Sequence, residues 1–139
     1  MTLQEIFAGC TVRPLLAEEP MAKHTSFRIG GIPTANSKCL AVGGPADLMA
    51  MPQSEQELQQ LLQRAGEAKV SVTLIGNGSN LLVRDKGIRG LVIKLGNMLN
   101  DVAVDNCTLT FGSGVSLAAA SRKAAELGLS GMEFAVGIP

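Results

Sequence analysis

Residues 72–83 read Val72-Thr73-Leu74-Ile75-Gly76-Asn77-Gly78-Ser79-Asn80-Leu81-Leu82-Val83. The apolar run Val72 to Ile75 predicts a buried strand. Gly76 and Gly78 then permit positive φ and let a ligand come close to the backbone. Successive peptide N–H groups in such a loop form a nest for an anion. Ser79 and Asn80 add side-chain donors and acceptors. A phosphate or pyrophosphate is the natural guest. Leu81-Leu82-Val83 predicts a further strand, so the unit is strand–loop–strand rather than strand–loop–helix.

That context excludes two commoner phosphate loops. A dinucleotide fingerprint requires G-x-G-x-x-G at the start of a helix, and Leu81 stands where its third glycine belongs. A P-loop requires G-K-[ST], a tripeptide absent from the chain. A ligand-free turn between two strands is the competing interpretation of an isolated G-x-G.

Working outward, Ala46 to Met51 predicts a strand ended by Pro52. A helix follows, with Ser54 as N-cap, Glu57 completing a capping box, and Leu58, Leu61, Leu62 and Ala65 forming one apolar stripe. With the strand at Ser71 to Ile75 this makes a β-α-β unit, which implies a parallel crossover. Leu91 to Leu95 predicts a strand with Lys94 turned outward. Val102 to Val104 and Thr108 to Phe111 predict a hairpin around Asp105-Asn106. Ser116 caps a second helix, which ends near Leu127 with Gly128 as its C′ residue. Its run Ala118-Ala119-Ala120 makes a thin face that suits tight packing on a sheet. At the start, Thr2 to Gly9 predicts a short helix, and Val12 to Lys23 reads as irregular. The order of elements predicts an α/β or α+β domain with a mixed sheet.

Composition narrows the function classes. A chain of 139 residues suits one domain, and 46% hydrophobic with 17% charged residues argues for a folded core over disorder. The formal net charge is zero, and there is no Trp or Tyr. Neither a basic field nor a stacking platform is offered to nucleic acid. No apolar stretch approaches the length that spans a bilayer, and the first residues lack a secretory pattern, so a cytoplasmic protein without membrane insertion is expected. Cys10, Cys39 and Cys107 are scattered, without the spacing of a disulfide framework or a zinc site. They read as small core residues, and no metal is expected. His24, the only histidine, reads as a surface or turn residue. Arg84, Asp85, Lys86 and Arg89 read as a solvated turn with local ion pairs. Neither Glu126 nor Glu133 is assigned a catalytic role.

Four ordered segments carry a family resemblance. Gly76 to Gly90, GNGSNLLVRDKGIRG, resembles the flavin-pyrophosphate loop of the bacterial UDP-N-acetylenolpyruvoylglucosamine reductases, also called UDP-N-acetylmuramate dehydrogenases. Lys23 to Gly31, KHTSFRIGG, resembles their opening motif. Pro45 to Leu62 resembles their first strand and helix. Ser113 to Pro139 resembles the helix and loop that lead to their second flavin-binding turn. The resemblance implies an FAD-binding domain of the vanillyl-alcohol-oxidase type (PCMH type), built from two small subdomains. It places that domain at residues 23–139, after a lead-in at 1–22.

The activity implied is reduction of the enolpyruvyl ether of UDP-N-acetylglucosamine to UDP-N-acetylmuramate, with NADPH as co-substrate. That is a cytoplasmic step of peptidoglycan synthesis, hence of cell-wall biogenesis, cell shape and division. Gly76, Asn77, Gly78, Ser79, Asn80 and Leu81 are expected to hold the FAD pyrophosphate. Gly114, Gly137 and Ile138 are weaker candidates near the flavin, and Gly112 to Gly114 serves equally as a plain hairpin end.

Two departures from the family stand out. Residues 32–44 intervene where the family runs from Gly-Gly directly into Pro-Ala-Asp. They read as a tolerated surface loop, or as a translation or assembly artefact. The family's serine proton donor, glutamate and substrate-orienting arginine fall in a portion beyond Pro139, so no catalytic residue is carried over to this chain. A catalytically inactive flavin-binding fragment or remnant is therefore the alternative. Another flavin oxidoreductase of the same fold and a non-enzymatic α/β module are more distant ones.

Overall fold

The computed structural model describes residues 2–12, 15–25, 28–29, 40–41, 43–96 and 98–138, and of Arg28, Ile29, Leu40 and Ala41 it describes the backbone, which forms the antiparallel pair β2 (Arg28–Ile29) and β3 (Leu40–Ala41). The segment 32–44, with Cys39, lies largely outside the described residues. The chain forms two compact units, Met1–Gly96 and Asn97–Pro139.

The β-α-β unit forms where the sequence places it. β4 (Pro45–Ala50) leads to α2 (Glu55–Glu67), then β5 (Val72–Ile75) and β6 (Ile88–Lys94). Ser54 Oγ accepts the Glu57 N–H at 3.3 Å, as an N-cap should. The Glu57 carboxylate reaches one residue further back than a capping box requires, to the N–H of Gln53 at 2.8 Å. β6 lies between β4 and β5 and runs parallel to both.

Three other expectations give way. Val12 to Lys23 is not irregular: β1 (Leu15–Pro20) pairs antiparallel with β4 at the sheet edge, and a 3-10 turn follows at Met21–Lys23. Glu18, at φ +51°, interrupts β1, which erases the alternation a strand normally shows. Leu81-Leu82-Val83 is not a strand. The stretch 76–87 instead returns the chain from the end of β5 to the start of β6, because parallel neighbours need a crossover of about a dozen residues or more. Leu81 and Val83 pack against the sheet instead of joining a ladder, and Leu82 is exposed. Lys94 does not simply face solvent, as described below.

Both faces of the sheet are covered, as parallel strands require. On one face, Phe7 of α1 (Leu3–Phe7), Cys10, Val12, Leu61 and Ala65 pack with Leu48, Ala50, Leu91 and Ile93. Thr2 and Glu5 close α1 with a reciprocal capping box. On the other, Met21 and Val83 pack with Ala46, Met49, Ile75 and Val92, and Leu81 joins them half-buried. The crossover loop is thus nailed to the sheet by alternate residues, Leu81 and Val83.

A β-bulge sharpens the start of β6. Ala46 aligns with Ile88 and Leu48 with Leu91, so Arg89 and Gly90 together oppose Asp47. The Asp47 carboxylate replaces the missing ladder bond by accepting the Gly90 N–H at 2.9 Å, and it pairs with Arg89 at 2.6 Å. Arg89 therefore makes its ion pair across the sheet, while its guanidinium also donates to the Lys86 carbonyl of its own turn at 2.7 Å. At the same corner Gly87, at φ +72°, leaves no room for a Cβ against the Pro45 carbonyl.

In the second unit, β7 (Val102–Asp105) and β8 (Thr108–Phe111) form the expected hairpin, turning at Asn106 and Cys107. Cys107 is exposed there, whereas Cys10 is the small core residue expected. α3 (Leu117–Glu126) is capped by Ser116. Gly128 ends it at φ +70°, and the Gly128 and Leu129 N–H groups bond the Ala125 and Ala124 carbonyls at 3.0 and 2.9 Å. That is a Schellman motif. Ala120, Ser121 and Ala124 make the buried face, which adjoins the 3-10 turn Glu133–Ala135. Ser121 Oγ donates to the Met132 carbonyl at 2.9 Å.

Candidate functional site

The glycine loop leaves β5 at its carboxyl end. Ile75 aligns with Lys94, and the Leu95 N–H bonds the Ile75 carbonyl at 3.1 Å, so the loop begins where β5 and β6 end together. Gly78 takes φ +70°, and a Cβ on it would collide with the carbonyl of His24 and press on Thr25 Cα. Only glycine satisfies both conditions. Two segments that carry the resemblance, 23–31 and 76–90, are therefore in direct backbone contact.

Among the described residues, no hydrogen bond within the chain takes up the peptide N–H groups of Gly76, Asn77, Gly78 or Asn80. Of these only Gly78 is half-buried, where an N–H is normally paired; with its exposed neighbours it makes a run of unused donors that can take acceptor atoms. Gly76, Asn77 and Asn80 are exposed and open to a ligand, while Gly78 and Ser79 are half-buried. The donor set suits phosphate oxygens, which accept several N–H bonds at once.

Sequence reasoning missed the polar chain beneath this loop. His24 Nε2 lies 3.1 Å from Glu19 Oε1, and Lys94 Nζ lies 3.3 Å from His24 Nδ1. An ammonium only donates, so Nδ1 is the acceptor and Nε2–H is the donor to Glu19. His24 and Glu19 side chains are 11% and 14% exposed, so His24 is the turn residue that the sequence allowed and not a surface one. Lys23 adds a second, exposed contact to Glu19 at 3.4 Å. Burial alone pushes the Glu19 carboxyl up. Hydrogen bonds from His24 and Lys23, with the charges beside them, outweigh that and hold it below the ordinary carboxylate value. The signal available in the sequence was the alternation of β6: Lys94 follows Val92 by two residues and so shares its buried face.

The remaining candidates belong to the second unit. The Gly114 N–H donates to the Leu99 carbonyl at 3.0 Å, so it already holds its own turn together. The Ile138 N–H bonds the Ala135 carbonyl at 3.3 Å, and Gly137 is exposed. Glu126 pairs with Lys123 on the helix surface at 3.3 Å, and Glu133 accepts the Gly131 N–H at 2.8 Å. Among the described residues no group of His, Cys, Asp and Glu is arranged to hold a metal ion, and no helix is long and apolar enough to cross a membrane.

A mixed sheet carrying a glycine nest at its carboxyl edge matches a known class of protein. Residues 46–139 match the family model described as FAD binding domain, and the chain belongs to that family. Within it, the likeness runs to the UDP-N-acetylenolpyruvoylglucosamine reductases, as the four sequence segments implied. The enzyme of that name from Agathobacter rectalis is 47% identical over 137 residues, which covers 90% of this chain and 39% of the relative. The one from Heliobacterium modesticaldum is 44% identical over 124 residues, covering 89% and 35%. The crystal structure of the reductase from Thermus caldophilus superposes with a TM-score of 0.57 at 28% identity, over 90% of this chain and 37% of that one. The mixed-sheet FAD-binding fold expected from the resemblance is thus the fold observed. The chain spans about two fifths of the length of the relatives it matches, between 35% and 39% for these two.

Proposed function

We propose that this chain is the FAD cradle of a UDP-N-acetylenolpyruvoylglucosamine reductase. The observation that carries the proposal is the run of unused N–H donors at Gly76, Asn77, Gly78 and Asn80, in a chain of the FAD-binding-domain family. These groups, with the Ser79 hydroxyl, bind the pyrophosphate of FAD, and Leu81 anchors the loop to the sheet. Gly114, Gly137 and Ile138 remain the weaker candidates for contact with the flavin. Bound FAD supplies hydride transfer, which no side chain can perform. The chain's own residues bind and orient the cofactor: Gly78 sets how closely the loop lies on His24, and so where the donors point.

The whole protein then takes hydride from NADPH and delivers it, together with a proton, across the C=C bond of the enolpyruvyl ether of a UDP-sugar, giving UDP-N-acetylmuramate and NADP+. It acts in the cytoplasm and serves peptidoglycan synthesis, and so cell shape and division. Residues 23–139 form the flavin-binding domain, after the lead-in at 1–22. The segment 32–44 is an insertion relative to the family.

The test is NADPH oxidation at 340 nm by the protein reconstituted with FAD, with and without UDP-N-acetylglucosamine enolpyruvate. Oxidation that depends on both FAD and that substrate, with UDP-N-acetylmuramate as product, supports the reading. Saturable FAD binding without substrate-dependent oxidation favours the inactive flavin-binding alternative.

A further inference from the structure

The crossover loop and the strand that follows it both touch His24. Its carbonyl lies against Gly78, and its Nδ1 accepts from Lys94. Lys94 in turn aligns with Ile75, the residue from which the loop departs. An ammonium has three donors, and among the described residues His24 is the only hydrogen-bond partner of this one. Lys94 is half-buried and makes no ion pair of its own among the described residues, and the Glu19 carboxylate at the other end of the chain is engaged with His24 and Lys23. A cation placed so, with spare N–H groups and beside a nest of unused peptide donors, lacks an anion.

We propose that Lys94, positioned by His24 and Glu19, is the cation that neutralises the diphosphate bound at Gly76–Asn80. The inference rests on the FAD reading above for the identity of the ligand, and on geometry for the role of Lys94. Each atom of the Glu19–His24–Lys94 chain has a part in it. Glu19 fixes Nε2–H, which leaves Nδ1 as an acceptor, and that acceptor orients one Lys94 N–H. The other two N–H groups and the charge remain for phosphate oxygens, which bind charged donors more strongly than neutral ones. Lys94 is thereby a ligand residue, and His24 and Glu19 are positioning residues.

The experiment titrates FAD, riboflavin and inorganic pyrophosphate into the wild-type chain, Lys94→Gln, Lys94→Met and Lys94→Arg, at low and high salt. Gln retains an N–H for His24 but carries no charge, so it separates a structural role from an electrostatic one. The expected result is that Lys94→Gln and Lys94→Met weaken FAD binding about tenfold or more, the size of one charge-assisted hydrogen bond. Riboflavin, which has no phosphate, is unaffected. The salt dependence flattens in both variants, and Lys94→Arg restores most of the affinity. Wild-type affinity and salt dependence in Lys94→Gln would overturn the proposal while leaving the FAD reading intact. Absence of FAD binding by folded wild type would overturn the FAD reading. Pyrophosphate then decides the role of Lys94: binding that Lys94→Gln loses supports it, and binding that Lys94→Gln keeps, or no binding at all, overturns it.

Discussion

Gly78 sits directly on the backbone carbonyl of His24. The residues are far apart in sequence, in segments that carry separate parts of the family resemblance, and the missing Cβ is what lets them touch. This contact fixes the depth at which the glycine loop lies on the sheet and brings the unused N–H groups of Gly76, Asn77 and Asn80 to a defined surface.

Gly78→Val forces a β-branched residue into φ +70° and into the His24 carbonyl. Positive-φ strain alone costs about 1–3 kcal/mol, and the collision adds to it. Gly76 is the control, since nothing lies within 4 Å of a Cβ built there. Urea denaturation of the two variants should show a large loss for Gly78→Val and a small one for Gly76→Ala.

Glu19 makes stability depend on acid. Its folded carboxyl titrates below the ordinary value, so as pH falls the unfolded chain takes up the proton first. The stability contributed by ionised Glu19 is present at neutral pH and is lost as pH drops through the folded value. Glu19→Gln removes this carboxyl. Its unfolding free energy should therefore decline less steeply than that of wild type between about pH 6 and about pH 3, the range in which such carboxyls titrate. Parallel curves would show that the His24 and Lys23 contacts do not form in solution.

Asp47 and Arg89 form one ion pair but should differ in their mutants. Asp47 also holds the Gly90 N–H in the bulge, whereas Arg89 is 63% exposed. Asp47→Ala should cost about 1–3 kcal/mol through the backbone donor left in the sheet. Arg89→Ala should cost about 1 kcal/mol or less, as exposed pairs do. Thermal unfolding of both variants checks the order.

The N-cap of α2 is a local signal with a local consequence. Ser54→Ala should cost about 1 kcal/mol, read as a lower urea midpoint with an unchanged slope. Ser54→Asp should restore most of it, because a carboxylate accepts the same N–H and favours the helix N-terminus.

Features with a short-range cause were legible in the sequence. Ser54, Ser116 and Gly128 announce helix ends because capping involves residues within one turn. The string 76–80 announced a donor-rich loop because two glycines remove side chains where a ligand must approach. β1 was not legible, because Glu18 at positive φ breaks its alternation and its partner β4 lies beyond residue 44. Leu81-Leu82-Val83 reads as a strand by composition, yet Leu81 and Val83 pack on the sheet without a ladder partner and Leu82 stays exposed. The Glu19–His24–Lys94 chain joins residues up to 75 positions apart, from Glu19 to Lys94. No periodicity reports such a contact. A lone histidine and a strand lysine become a polar chain only once β6 is placed beside the 3-10 turn.

The central claim is that the loop at Gly76–Asn80 binds the diphosphate of FAD. It is tested most directly by titrating FAD into the purified chain and into Gly78→Asn, following the quenching of flavin fluorescence. Asparagine tolerates positive φ better than other side chains, so this variant retains more of the fold than Gly78→Val while its Cβ still pushes the loop off His24. The account predicts saturable binding by the wild type and binding at least about tenfold weaker by the folded variant, the loss of one charge-assisted hydrogen bond. Equal affinity in the two folded proteins, or no binding by folded wild type, would contradict it.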